Sequence, residues 1–315
     1  MVYGNDRGRS GDGKGGLGFI GCSCVRVFLN TLTHEHPSTN FISNKVEKIK
    51  NNYRFKRRPF CKNIAMKKKP HTSIQINLWS GPRNISTALM YAFAQRKDTT
   101  VFDEPLYAHY LSKTPAISYH PGSKEIIANM ENDGAKVIEM MLGDHPTPVT
   151  FFKQMTHHLV DIDWSFMLDM VNIILTRDPV DMLPSYVKQV EKPALHDVGY
   201  QAHIELLKYL HEFGKEVIVL DSKEVLLNPQ GVLTELCHRV GIPFDQAMLS
   251  WKAGPRKEDG VWAKYWYKNV HQSTAFAPYK KKTTPFPESL KPLLATCQPI
   301  YQRLRKMAIL AENYG

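Results

Sequence analysis

Two segments a little under one hundred residues apart constrain this chain most: Ile76–Met90, INLWSGPRNISTALM, and Val171–Tyr186, VNIILTRDPVDMLPSY. Each reads as a buried strand, then a polar turn holding one Arg, then a helix start. In the first, Ile76 and Leu78 lead into Ser80-Gly81-Pro82-Arg83-Asn84, and Ser86 and Thr87 open an Ala/Leu/Met-rich helix. A loop between a strand's carboxyl end and a helix's amino end offers unpaired backbone N–H groups and the positive end of a dipole, so it attracts anions. Hydroxyls and a guanidinium add further hydrogen bonds. In the second segment Arg177 ends the strand and Ser185 follows on the helix, with Asp178 as its cap and Pro179 at its first position.

From Ser73 onward, apolar runs of strand length alternate with helical patterns: Ile74–Trp79, Thr99–Phe102, Val149–Lys153, Val171–Thr176 and Val217–Leu220, with helices between. Such alternation predicts an α/β fold, a parallel central sheet flanked by helices. Ligands then gather at the carboxyl ends of the strands, where Arg83, Glu104, Lys153 and Arg177 fall. Leu233, Leu236, Cys237 and Val240 have the spacing of a core-facing helical stripe, ended by Gly241 and Pro243. No internal repeat and no linker interrupts residues 71–315, so one domain is expected there.

Charge divides the chain differently. Of 41 Lys and Arg, 15 lie in residues 1–69, together with only 4 of the 30 Asp and Glu, so the whole net charge of +11 belongs to that segment. The remainder is balanced, which argues against a nucleic-acid surface on the folded part. Residues 1–70, Gly/Asn/Ser-rich and ending in basic runs, are expected to be a disordered extension, with organelle targeting as the alternative to a cytoplasmic location. No stretch approaches the roughly 18 apolar residues of a membrane span; the nearest, Gly16–Leu32, is broken by Arg26. Five Cys, three of them in the tail, form neither a disulfide framework nor a metal spacing, which favours a reducing compartment.

The first loop is not a Walker A motif, because no Gly-Lys-Ser/Thr follows Gly81. Pro82-Arg83-Asn84-Ile85-Ser86-Thr87 instead resembles the 5'-phosphosulfate loop of the sulfotransferases that use 3'-phosphoadenosine 5'-phosphosulfate (PAPS). Ile85 stands where that family usually has Gly. Arg177 and Ser185 have the spacing of the family's 3'-phosphate site. Val217–Asp245 is similar to the family's strand, Leu-x-x-Asn-Pro turn, helix and Gly-Ile-Pro-Phe stretch, and Gly254–Lys264 is similar, more loosely, to its Arg-Lys-Gly loop.

The resemblance implies a P-loop-like sulfotransferase architecture, PAPS as co-substrate, no metal, and transfer of a sulfuryl group to a hydroxyl or amine of a small-molecule or carbohydrate acceptor. It further implies that Arg83, Asn84, Ser86 and Thr87 hold the 5'-phosphosulfate, that Arg177, Ser185, Arg256 and Lys257 hold the 3'-phosphate, and that Lys153 meets the sulfuryl group or the acceptor. Glu104, after the second strand, is the expected base, with Asp103 and His109 as alternatives. Asp103 and Glu104 also fit a simpler part, capping the next helix with Pro105 at its first position. The adjacent His157 and His158 are discounted as a metal site, since neighbours on a strand face opposite ways. The segments Tyr107–Gly122 and Asp144–Thr147 are expected to select the acceptor. A phosphotransferase or nucleotide hydrolase, or a nucleotide-binding protein without catalysis, are the competing readings.

Overall fold

The computed structural model describes residues 73–314; the basic segment 1–70, with the disorder and targeting expected of it, lies outside the described residues. The element order is β1 (Ile74–Ser80), α1 (Ser86–Phe93), β2 (Thr99–Asp103), α2 (Tyr107–Lys113), α3 (Ser123–Asn129), α4 (Gly134–Leu142), β3 (Val149–Met155) and β4 (Val171–Thr176). Then follow α5 (Pro179–Tyr186), α6 (Tyr200–Glu212), β5 (Val217–Asp221), α7 (Ser222–Leu227), α8 (Pro229–Val240), the single turns α9 (Ala263–Trp266) and α10 (Lys268–His271), and α11 (Lys291–Arg305). All five expected strands are present and pair in parallel in the order β2-β3-β1-β4-β5. The α/β fold class read from the sequence is therefore the one observed.

Period-2 alternation along each strand supplies both faces of the sheet. Ile76, Leu78, Phe151, Ile173 and Leu175 pack on one side against Leu89, Met90 and Phe93 of α1 and Leu233 and Leu236 of α8. Trp79, Phe152, Ile174 and Val219 face the other side, against Leu206, Leu207 and Leu210 of α6 and Leu304 of α11. The predicted stripe Leu233, Leu236, Cys237 and Val240 is buried in α8, and Gly241 at φ 85 ends that helix in the left-handed conformation glycine favours. One expectation differs. Between β3 and β4 the chain forms two 3-10 turns, Thr156–His158 and Trp164–Asp169, and no α-helix; Asp163 caps the second by accepting from Ser165 N.

Strand β1 sits at the centre, and its chain leaves toward β2 on one side while β4 and β5 lie on the other. At such a switch point the loops after β1 and β4 diverge and leave a crevice outside the strands' carboxyl ends. Both Arg-bearing turns border that crevice.

Candidate functional site

A cleft of about 430 Å3 opens there, lined in turn by residues that follow each strand: Gly81–Ala88 after β1, Glu104 after β2, His157 and His158 after β3, Arg177 after β4 and Leu226 after β5. The β1 loop is held open by its own side chains. Asn84 Nδ2 donates to Leu175 O at 3.0 Å, and its Oδ1 accepts from Ile85 N at 3.1 Å and from Ser222 Oγ. Asn84 thus stitches the loop to β4 and α7, a structural task beside the ligand contact expected of it. Arg83 takes φ 56, while Ile85 has an ordinary φ of −91. The left-handed residue of this loop is Arg83, so Ile85 needs no glycine, and its side chain packs on the core around α1. A non-glycine residue held at positive φ stores of order 1–3 kcal/mol and is found where the surroundings enforce it.

The two Arg-bearing loops interlock. Arg177 Nη1 donates to Arg83 O at 2.6 Å, and Arg83 Nε donates to Ser185 Oγ at 3.2 Å. Tyr200 OH fixes the Arg177 carbonyl at 2.7 Å. Burial, and then the Arg177 charge, depress the Arg83 pKa below its ordinary value, as expected of two cations side by side in a partly dry site. Among the described residues no carboxylate forms an ion pair with either Arg, and the hydroxyls of Ser86 and Thr87 have no hydrogen-bond partner. Arg83, Asn84, Ser86, Thr87, Arg177 and Ser185 all line the cleft. The arrangement can take up an anion carrying more than one charge.

The cleft also borders a buried charge cluster. Lys153 Nζ donates to Asp103 Oδ1 at 2.9 Å, to Glu104 Oε1, and to Tyr267 OH at 2.5 Å. Tyr267 OH donates on to Asp103 Oδ2 at 2.7 Å and accepts from Trp262 Nε1 at 3.2 Å. Asp103 also accepts from Gly260 N at 3.0 Å and does not line the cleft; Glu104, Lys153 and Tyr267 do. Burial opposes the Lys153 charge, but Asp103 and Glu104 outweigh it and hold the ammonium well above its usual range. For Glu104, burial dominates over the pull of Lys153, and with Asp103 added its carboxyl rises to about 7. Glu104 also has φ 44, pinned where its N–H extends the β2–β3 ladder to Lys153 O at 2.7 Å. The capping alternative is not realised: α2 begins after Leu106 with no side-chain cap.

Part of the cleft wall is aromatic. Tyr107, His120, His157, His158, Tyr186 and Trp266 line it, with Tyr107 stacked on His158 at 4.8 Å and its OH 2.8 Å from His120 Nδ1. Burial lowers the pKa of His120 to about 4 and of His157 to about 3, and pushes His158 well below its ordinary value, so these rings are neutral at pH 7. His157 and His158 sit on a 3-10 turn, where both reach the cleft, so the opposite-faces argument does not apply to them. Among the described residues no group of three His, Cys, Asp or Glu could hold a metal ion.

Several expected residues lie elsewhere. Arg256 stacks over the Tyr91 ring, 5.0 Å from its centroid and 3.5 Å from Glu258, and the Lys257 side chain is 91% exposed. Neither lines the cleft. Their acidic neighbours Glu258 and Asp259, which turn inward to Arg256, Tyr91 and His271, explain the difference. His109 is locked away from the cleft, its Nε2 on Val160 O at 2.8 Å and its Nδ1 accepting from Gly134 N at 3.1 Å. Asp144–Thr147 precede β3 and therefore stand at the amino end of the sheet, opposite the cleft. His120, Phe276 and Lys282 line the cleft although nothing in their local spacing singles them out. Tyr267, Trp262 and Trp266, from one aromatic run, both pack together and line it.

The sulfotransferase-domain family model matches residues 74–308, and the chain belongs to that family. It is 39% identical over 232 residues to branched-chain-amino-acid aminotransferase-like protein 1 of Arabidopsis thaliana and 37% identical to protein 2, in each case over 73% of this chain. The match takes up 41% of each relative, so the chain spans about two fifths of the length of these curated relatives. Among solved structures it is similar to the sulfotransferase domain of the Synechococcus PCC 7002 olefin synthase, with TM-score 0.45 and 17% identity over 73% of this chain and 96% of that one. A sulfotransferase from Alicyclobacillus acidocaldarius gives TM-score 0.45 and 14% identity over 76% and 98%.

Proposed function

We propose that this chain transfers a sulfuryl group from PAPS to a hydroxyl or amine of an uncharged small-molecule or carbohydrate acceptor. The observation that carries the reading is one cleft lined both by Arg83 and Arg177, without ion-paired carboxylates among the described residues, and by Glu104, its carboxyl raised to about 7. Arg177, Ser185 and Arg83 are suited to the donor's two phosphate-bearing ends, and the apolar residues Leu226, Val270 and Phe276 to its base. In the reaction Glu104 takes the acceptor's proton as the acceptor oxygen or nitrogen bonds to sulfur. The bond from sulfur to the bridging oxygen breaks, and Arg83 with the loop N–H groups neutralises the charge left on the departing phosphate. Lys153 keeps its three N–H groups on Asp103, Glu104 and Tyr267 and contributes its positive charge to the site. The neutral imidazoles and the rings of Tyr107 and Trp266 favour a flat, uncharged acceptor over an anionic one.

Calorimetric titration of the full chain with 3'-phosphoadenosine 5'-phosphate, beside adenosine 5'-phosphate, tests the donor site. At least tenfold tighter binding of the first is expected, lost in Arg177→Ala. Equal affinity for the two nucleotides would overturn the PAPS reading.

A further inference from the structure

The pair of cations that the sequence offers for the donor's 3'-phosphate, Arg256 and Lys257, does not reach the cleft, yet besides Arg83, Arg177 and Lys153 the cleft does have one more cation, Lys282. It comes from the irregular segment between α10 and α11, which contributes Ala275, Phe276, Ala277 and Lys282 to the lining. Lys282 Nζ donates to Asp181 O at 2.6 Å, in the first turn of α5, the helix whose Ser185 accepts from Arg83. Its anchor there is a main-chain carbonyl. The Asp181 carboxylate is turned to Tyr279, whose OH lies 3.3 Å from Oδ2. Burial, then the Arg177 charge, depress the Lys282 pKa, opposed by Asp181, and Arg83 acts in the same sense as Arg177. Three positive groups from three separate parts of the chain thus meet at one edge of the cleft, and no ion pair with a carboxylate engages any of them among the described residues.

We infer that Lys282 is a ligand of the donor's 3'-phosphomonoester, completing with Arg177 and Ser185 the site that Arg256 and Lys257 leave unfilled. The assignment rests on the PAPS reading above. A dianionic phosphomonoester matches two or three converging cations, and an ammonium on a long flexible stem can leave the Asp181 carbonyl for a phosphate oxygen at small cost. Phe276, six residues earlier on the same segment, lines the cleft too, so one strap would serve both the phosphate and the adenine ring.

The test is calorimetry on the full chain with 3'-phosphoadenosine 5'-phosphate and with adenosine 5'-phosphate, comparing wild type, Lys282→Ala, Lys282→Arg and Lys257→Ala. Lys282→Ala should weaken the bisphosphate at least tenfold and the monophosphate less than twofold. Lys282→Arg should recover most of the loss, and Lys257→Ala should match wild type. An unchanged bisphosphate affinity in Lys282→Ala, an equal loss for both nucleotides, or a larger loss in Lys257→Ala overturns the assignment while leaving the donor site standing. Wild-type protein that fails to distinguish the two nucleotides overturns the donor reading itself, and the assignment with it.

Discussion

Glu104 combines a backbone at φ 44, set by its position at the end of β2, with a carboxyl that burial and the nearby Asp103 charge raise to about 7 against the pull of the Lys153 ammonium. A base must be unprotonated to act, so the rate should rise with pH through about 7 and level off above it. Glu104→Gln should lower turnover by about 10²–10⁴-fold, the range of general-base contributions, with bisphosphate affinity kept within about twofold. Turnover and binding measured on the same preparation decide it, and a glutamine variant of near-wild-type rate would remove Glu104 from the chemistry. That an acidic residue follows the second strand was readable in the sequence. Its surroundings were not, because Lys153 and Tyr267 come from β3 and from the turn after α9, and only folding brings their polar atoms within hydrogen-bonding distance. Asp103, the neighbouring candidate, is consumed by Lys153, Tyr267 and Gly260, whereas the chain pattern made the two carboxylates look equivalent.

At the scale of elements, the β1 loop depends on how closely another loop lies behind it. A Cβ on Gly81 would come 2.8 Å from Val198 O, a backbone atom that cannot turn aside, and Gly199 at φ 78 packs its own face on the Gly81 backbone. Gly81 therefore serves close approach of two backbones, and the left-handed turn of the loop falls to Arg83. Gly81→Ala should displace the loop, lower the melting temperature and weaken 3'-phosphoadenosine 5'-phosphate at least tenfold. Thermal melts with and without the nucleotide read both effects, and an alanine variant with unchanged melts would mean that the contact yields freely. The strand–turn–helix pattern located this loop from residues that are adjacent in the chain. The contact with Gly199, at the start of α6, is non-local and left no trace in the spacing around Gly81.

For the molecule as a whole, buried histidines make the core acid-sensitive. His203, buried in α6 with both ring nitrogens unpartnered, is depressed by burial to about 3, alongside His120, His157 and His158. Each of these imidazoles has a folded pKa below its unfolded value, so the unfolded chain binds more protons between about pH 4 and 6.5. Their contribution to stability is complete above 6.5 and is lost as the pH falls toward the folded values, by up to about 1.4 kcal/mol per pH unit for each ring. Glu104, raised to about 7, acts in the opposite sense over this range, so the histidine contribution is read by difference: between pH 6.5 and 4.5 the loss of stability with acid, measured by denaturant unfolding, should be less steep in His203→Gln than in wild type. Equal slopes in the two proteins would mean that His203 protonates inside the fold.

What the sequence determined by itself was whatever is encoded locally or by period: five strands from apolar runs, the α8 stripe from its helical spacing, and two Arg-bearing turns from Gly, Pro, Asp and Ser at strand ends. Parallel strands bring their carboxyl ends to one edge whatever the details of packing, which is why Arg83, Glu104, Lys153 and Arg177 could be assigned to a common cleft in advance. Tertiary structure alone decided which polar side chains in the loops turn toward that cleft. Arg256 was drawn off by Tyr91 and Glu258, Lys257 was left in solvent, and His109 was held by Val160 and Gly134, while Lys282 was carried in by a segment with no periodic signal. A loop side chain goes where its buried charge or hydrogen-bonding groups are best satisfied, and those partners lie far off in sequence.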